Sequence, residues 1–170
     1  MSVFIKGNLG GGILTKIFID GVEITENINL IKEGEINLSV STLPYNFYDG
    51  SAVVYNNEIH ILGGIPSDAR TNHYKYNGTE WTLVSTLPYN FYYGSAVVYN
   101  NEIHILGSNA SGTYTKHYKY NGTEWTLAST LPYNFDYGSA VVYNNETHIL
   151  GSNASPNLHY SAANIDILIG

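Results

Sequence analysis

At 170 residues the chain is the size of one ordinary domain; charged residues make up 12%, about half the usual share, and Tyr alone fills 16 positions. The formal charge of −7 argues against nucleic acid or an anionic membrane as partner, and the lack of cysteine excludes disulfides, thiolate chemistry and Cys-ligated zinc. Many tyrosines with few charges suit packed sheets with polar tips rather than disorder.

The opening Met-Ser-Val-Phe-Ile-Lys has neither the basic front nor the long apolar core of a signal peptide, so no secretory leader is expected. No run of 18 apolar residues occurs, so no membrane insertion is expected either. Residues 7–12 (GNLGGG) read as a flexible loop. Residues 13–19 read as a strand, Asp20-Gly21 as a tight turn and residues 22–24 as the returning strand, with another short strand around Ile28 and Leu30. Residues 1–33 thus form a small β appendage, either packed on the rest of the chain or docking it onto something else.

From Ser41 the chain repeats. The 23 residues 41–63 recur at 85–107 and 129–151, each time 44 residues on, and 20 of the 23 positions are the same in all three copies. A second block, residues 73–83 (HYKYNGTEWTL), recurs unchanged at 117–127. Each unit resolves into four strands: a at residues 50–55, b at 58–62, c at 73–76, and d ending near Thr86. Asn56-Asn57 turns a into b, a variable loop at 63–72 joins b to c, and Asn77-Gly78 turns c into d. The Leu87-Pro88 step ends strand d, because Pro cannot continue a ladder. Four strands per roughly 44 residues is the size of a β-propeller blade.

The order Gly-Ser-Ala-Val-Val-Tyr, then Ile-His-Ile-Leu-Gly-Gly at residues 59–64, then Tyr76, Trp81 and Leu87-Pro88, resembles the kelch repeat. The resemblance covers residues 34–160. It departs from the family pattern where the double glycine becomes Gly107-Ser108 and Gly151-Ser152, and where Phe47, Phe91 and Phe135 hold the neighbourhood of the usual Arg. It implies an all-β protein of three four-stranded kelch-type propeller blades, with a small N-terminal β element and a C-terminal strand or tail at 161–170. In this phase residues 34–42 form a d strand and the last copy ends on c near His159-Tyr160, the usual phase for ring closure. Three blades are too few for a ring, so two solutions are expected: several chains sharing one ring as a homo-oligomer, or an open arc capped by the N-terminal element. In a shared ring, residues 34–42 of one chain pair with His159-Tyr160 of its neighbour.

Candidate sites follow from the same frame. His60, His104 and His148 lie in b, and His73, His117 and His159 in c; symmetry places equivalents on successive blades and no ligand pair has short spacing, so they read as packing residues and no metal is expected. Trp81 and Trp125 read as inter-blade packing. The Asn-Gly-Thr-Glu-Trp segment is similar to the Asp-box turn of sialidase propellers, without its aspartate. Glu58, Glu102 and Glu146 read as solvated, and the sequons at Asn77, Asn109, Asn121 and Asn153 as turns. A copper oxidase exists among kelch-like propellers, but it depends on a cysteine-modified tyrosine that this chain cannot make. Gly10-Gly11-Gly12 lacks the Lys-Ser/Thr of a phosphate loop. No enzyme activity, catalytic residue or cofactor is expected.

The copies differ at 48/92/136, 49/93/137 and 59/103/147 and in the b–c loops. In a propeller the d–a and b–c connections share one face, so divergence concentrates there. That face carries Tyr45, Phe47, Tyr48, Asp49, Tyr89, Phe91, Tyr92, Tyr93, Tyr133, Phe135, Asp136 and Tyr137. Aromatic planes beside amides and carboxylates suit sugar faces and hydroxyls, although drift in exposed loops accounts for the same pattern. Thr147, polar where its counterparts are Ile, fits a less buried third blade. In overall style the chain resembles kelch-type proteins of bacteriophages and prophages. This implies a protein made in the bacterial cytoplasm and carried on the virion surface, on tail, fibre or capsid exterior. Residues 1–33 would then contact other virion proteins while the blades bind a host glycan or receptor. A structural or decoration role without glycan binding is the alternative, and a protein adaptor the third.

Overall fold

The computed structural model describes residues 3–6, 16–19, 22–24, 42–154 and 157–162, in two compact units, Met1–Val40 and Ser41–Gly170. In the first unit, β1 (Val3–Lys6), β2 (Lys16–Ile19) and β3 (Val22–Ile24) form an antiparallel sheet in that order. The Ile19↔Val22 pairing agrees with the hairpin expected across Asp20-Gly21. β1 is an addition: four residues are too short to carry a readable alternation. The loop expected at 7–12, the strand around Ile28 and Leu30, and residues 34–41 of the expected d strand lie outside the described residues.

The second unit holds three antiparallel sheets in which each strand pairs with the next in sequence. The first sheet runs β4 (Ser51–Tyr55), β5 (Glu58–Leu62), β6 (Asn72–Tyr76) and β7 (Trp81–Thr86). The second runs β8 (Ser95–Tyr99), β9 (Glu102–Leu106), β10 (Lys116–Tyr120) and β11 (Trp125–Thr130). The third has three strands among the described residues: β12 (Ser139–Tyr143), β13 (Glu146–Leu150) and β14 (His159–Ala162). One short 3-10 turn, Ser67–Ala69, interrupts the loop between β5 and β6.

The turns explain the register. Asn56 and Asn57 take φ of 50° and 62°, so Tyr55 pairs directly with Glu58; positive φ at both central residues is the two-residue turn that matches strand twist. The c–d connection differs from the sequence reading. It is a four-residue loop between Tyr76 and Trp81, in which the Asn77 side-chain oxygen accepts from the Thr79 and Glu80 amides at 2.9 and 3.0 Å. Asn121 repeats this with Thr123 and Glu124. Asn-Gly here closes an Asx turn rather than a two-residue hairpin.

The first strands of successive sheets lie against one another, with the Ala96 amide donating to Ser51 Oγ at 3.0 Å and the Ala140 amide to Ser95 Oγ at 2.9 Å. Strand alternation then gives each sheet two apolar faces, and the sheets pack face to face. Val53, Tyr55 and Leu62 of the first sheet meet Leu87, Phe91, Ala96, Ile103, Ile105 and Tyr120 of the second unit of sequence. Val97, Tyr99 and Leu106 on the opposite face of the second sheet meet Leu131, Phe135, Ala140 and Ile149. Each fully buried Leu, Ile or Phe contributes roughly 1.5–3 kcal/mol by leaving water.

Gly63 and Gly107 seal these junctions. Both take positive φ, and a Cβ would stand 2.0 Å from the Phe91 carbonyl oxygen or 1.9 Å from that of Phe135. Close approach of backbone, together with left-handed φ, explains why this glycine persists where the one after it becomes Ser108 and Ser152.

Candidate functional site

The d–a segments and the b–c loops emerge together, as the sequence reading expected. The Ile65 amide donates to the Tyr48 carbonyl, Asn109 to Tyr92 and Asn153 to Asp136, at 2.9, 3.0 and 3.0 Å. The divergent positions therefore share one surface, but the twelve residues expected to bind a ligand separate into two groups.

One group holds the sheets together. Phe91 and Phe135 are fully buried, which corrects their assignment as ligand contacts: each fills the junction between two sheets. Tyr45 donates through its hydroxyl to the Gly63 carbonyl at 2.7 Å, and Tyr89 to that of Gly107 at 3.0 Å. Burial, then neighbouring Tyr74, pushes the Tyr45 phenol up to about 12; burial and Tyr118 push Tyr89 well above its ordinary value. Tyr133, raised by burial and then Tyr160, packs against the second core, and Phe47 lies edge-on to Tyr45. Asp136 is also buried, accepting from Asn109 Nδ2 at 2.6 Å, which ties the second b–c loop to the third d–a segment.

The other group is gathered at the start of the innermost strands. Asp49, Tyr93 and Tyr137 are equivalents one period apart, with φ of 57°, 56° and 55°. The Tyr93 amide donates to the Asp49 carbonyl and the Tyr137 amide to the Tyr93 carbonyl, each at 2.8 Å. This chain of bonds holds three non-glycine residues left-handed, a conformation that costs of order 1 kcal/mol or more each and concentrates at functional positions. The Tyr93 and Tyr137 rings stack with centroids 4.1 Å apart and planes 22° apart. The Tyr93 side chain is hydrogen-bonded to Asp49, then to Tyr137, and these contacts push its phenol up to about 12. Tyr137 exposes more than half its surface, as does Tyr48. Tyr92, edge-on to Tyr93, lies under the Arg70 guanidinium at 4.2 Å and donates to the Asn109 carbonyl at 3.1 Å. The result is an aromatic platform with a carboxylate at its edge, suited to stacking on an apolar face while hydrogen-bonding hydroxyls.

The histidines form a second cluster that the sequence reading did not assemble. Within the first sheet His60 Nδ1 is 2.8 Å from His73 Nε2, and His73 Nδ1 is 2.9 Å from Ser85 Oγ, which also accepts from Trp125 Nε1 at 3.1 Å. The second sheet repeats the row with His104, His117 and Ser129 at 2.9 and 2.7 Å, and the third pairs His148 with His159 at 3.0 Å. The signal was in the strand register: Leu62 pairs with His73, so His60 and His73 are diagonal neighbours on one face. His73 is fully buried between sheets, with Tyr120 and Trp125 edge-on to it, so the row is a strut with no room for a substrate. Among the described residues no three His, Asp or Glu side chains converge on a metal position. Glu58 and Glu102 correct the expectation of solvated carboxylates: they pair with Lys75 and Lys119 at 3.0 and 3.1 Å across neighbouring strands.

No known protein family's profile and no curated protein matches the chain. Among solved structures, that of YjhT superposes with a TM-score of 0.56 at 20% identity, over 64% of this chain and 34% of that one. The likeness bears on the fold, and it agrees with an all-β, propeller-like arrangement; the matched segment spans about a third of YjhT.

Proposed function

We propose that this chain is a non-enzymatic recognition module of kelch type, carried on a virion surface, whose blades bind host glycans through the platform of Tyr93, Tyr137 and Asp49. The observation that carries the reading is the stack of exposed Tyr137 on half-buried Tyr93, on left-handed backbone at positions where otherwise near-identical repeats diverge. A tyrosine held at φ near +55° gains nothing for the fold that Gly or Asn would not give more cheaply. Sugars match the chemistry: apolar C–H faces lie on aromatic rings, and hydroxyls meet the Asp49 carboxylate. The virion setting rests on the likeness in overall style to phage and prophage kelch proteins, with residues 1–33 as the part that contacts other virion proteins.

A glycan array followed by titration calorimetry tests the reading. Binding should fall at least tenfold in Tyr137→Ala and Asp49→Ala and hold in a substitution on the opposite face such as Asn100→Asp. Glycan binding indifferent to both changes would remove the platform from the account. A decoration role is favoured by a separate observation, that Phe91, Phe135, Tyr45 and Tyr89 of the same face serve packing. It would be supported by an absence of glycan binding together with the platform lying covered in assembled particles.

A further inference from the structure

The two ends of the three-sheet stack leave exposed residues whose equivalents are buried at the internal junctions. Each sheet has a leading face, turned to the sheet before it, and a trailing face, turned to the sheet after it. On leading faces Leu87 and Leu131 are 3% and 2% exposed, and Ile103 is 0%; their equivalents on the first sheet, Leu43 and Ile59, are 44% and 43% exposed. On trailing faces Tyr55 and Tyr99 are 5% and 4% exposed and Leu62 and Leu106 0%; their equivalents on the third sheet, Tyr143 and Leu150, are 65% and 40% exposed. A polar group tells the same story. Trp125 Nε1 donates to Ser85 Oγ of the preceding sheet, whereas the equivalent Trp81 Nε1 is buried with no partner among the described residues.

We infer that the trailing face of the third sheet docks on the leading face of the first sheet of a second copy of this chain, twice over, so that two chains share one ring of six sheets. The occupant follows from the sequence. The residues left exposed are equivalents of those that pack against each other at the internal junctions (for Ile59 at the first, since Thr147 holds its position at the second), so a second copy presents the complementary surface without any change. Neither residues 1–33 nor residues 161–170 repeat the 44-residue unit, so within this sequence each end of the array is flanked by segments of a different kind. The contact is heterologous, and such contacts close when the rotation per unit fits; six sheets lies within the usual range for rings. The Asp49–Tyr93–Tyr137 series would then run on into the partner's Asp49, making the platform part of a rim built by both chains. The assembly itself does not depend on what that rim binds.

Sedimentation of the full chain between about 1 and 100 µM should give a discrete species of twice the chain mass. Ile59→Asp on the leading face and Tyr143→Asp on the trailing face should each yield monomer with an unchanged circular dichroism spectrum, since both side chains are exposed within one chain. Mixing the two variants should restore a dimer, because the unaltered trailing face of the first meets the unaltered leading face of the second. A wild-type monomer throughout would overturn the inference and give these faces to another occupant, the chain's own residues 1–33 among them. A dimer lost in only one variant, or no recovery on mixing, would show a like-with-like contact instead. A ladder of higher species would overturn closure at two chains.

Discussion

His60 Nδ1 lies 2.8 Å from His73 Nε2, thirteen residues on in sequence but beside it across β5 and β6. Both imidazoles are held below their ordinary pKa, His60 by burial first, and His73 down to about 3 by burial, then His60 and Lys75. The folded state therefore binds this proton more weakly than the unfolded chain does. The stability contributed by His73 is whole above about pH 6.5, drains as pH falls below that, and is gone by about pH 3. Between pH 6.5 and about 4.5 the loss from this group should reach at most about 2–3 kcal/mol. Urea midpoints at both pH values check it: His73→Gln, although less stable at neutral pH, should lose distinctly less on acidification than the wild type. Equal losses would show that the imidazole keeps its ordinary affinity for protons.

Two glycines with positive φ separate strain from space. At Gly107 a Cβ would stand 1.9 Å from the Phe135 carbonyl oxygen, while at Gly78, φ +100°, nothing lies within 4 Å. Gly78→Ala should cost only the backbone strain, about 1–2 kcal/mol. Gly107→Ala must also push two sheets apart and should cost about 4 kcal/mol or more, enough to unfold a marginal domain. Chemical denaturation of both variants reads the difference, and equal costs would mean the junction yields without resistance.

Thr147 yields a prediction. Its polarity fits a less buried third blade, and the third sheet is the more exposed one; the Thr147 side chain itself is fully buried, and its Oγ1 has no hydrogen-bond partner among the described residues. The third sheet is exposed on both faces, at Val142 beside Thr147 and at Val141, Tyr143 and Leu150 opposite. A buried hydroxyl without a partner costs about 1–3 kcal/mol. Thr147→Val keeps the shape and removes the hydroxyl, so it should raise the urea midpoint by the equivalent of about 1 kcal/mol. A loss of stability would show that the hydroxyl is satisfied, for instance by water.

The blade pattern was legible because strand alternation and turn chemistry are local: β5 and the Asn-Asn turn follow from residues adjacent in sequence. What escaped depended on distance across the fold. Nothing near Phe91 distinguishes a ring that fills a junction from one that meets a ligand; its burial comes from Gly63 and Leu62, some thirty residues earlier. The histidine row needed the β5–β6 register, which the variable loop between them conceals. The platform was half visible. Divergence at 49/93/137 marked the positions, but the shared left-handed φ and the ring stack arise from bonds between successive copies.

The platform has its own electrostatic signature. Tyr93 is pushed up to about 12 by its hydrogen bond to Asp49 first and by Tyr137 second, with burial a smaller cause than either bond. The bond to a carboxylate favours the protonated phenol, which can donate, and the carboxylate's charge opposes a second anion beside it. Nuclear magnetic resonance of Cζ-labelled tyrosine, with Tyr93→Phe to assign the signal, should show this ring ionising late. Asp49→Asn removes the charge and the stronger acceptor, so the Tyr93 titration should move down toward the ordinary value of 10. Tyr137→Phe, which keeps the stacked ring but not its hydroxyl, should move it less, because the Asp49 bond is the larger cause. A Tyr93 titration unmoved by Asp49→Asn would mean that the carboxylate does not face the ring, and the platform would lose the polar edge on which its reading as a hydroxyl-binding surface depends.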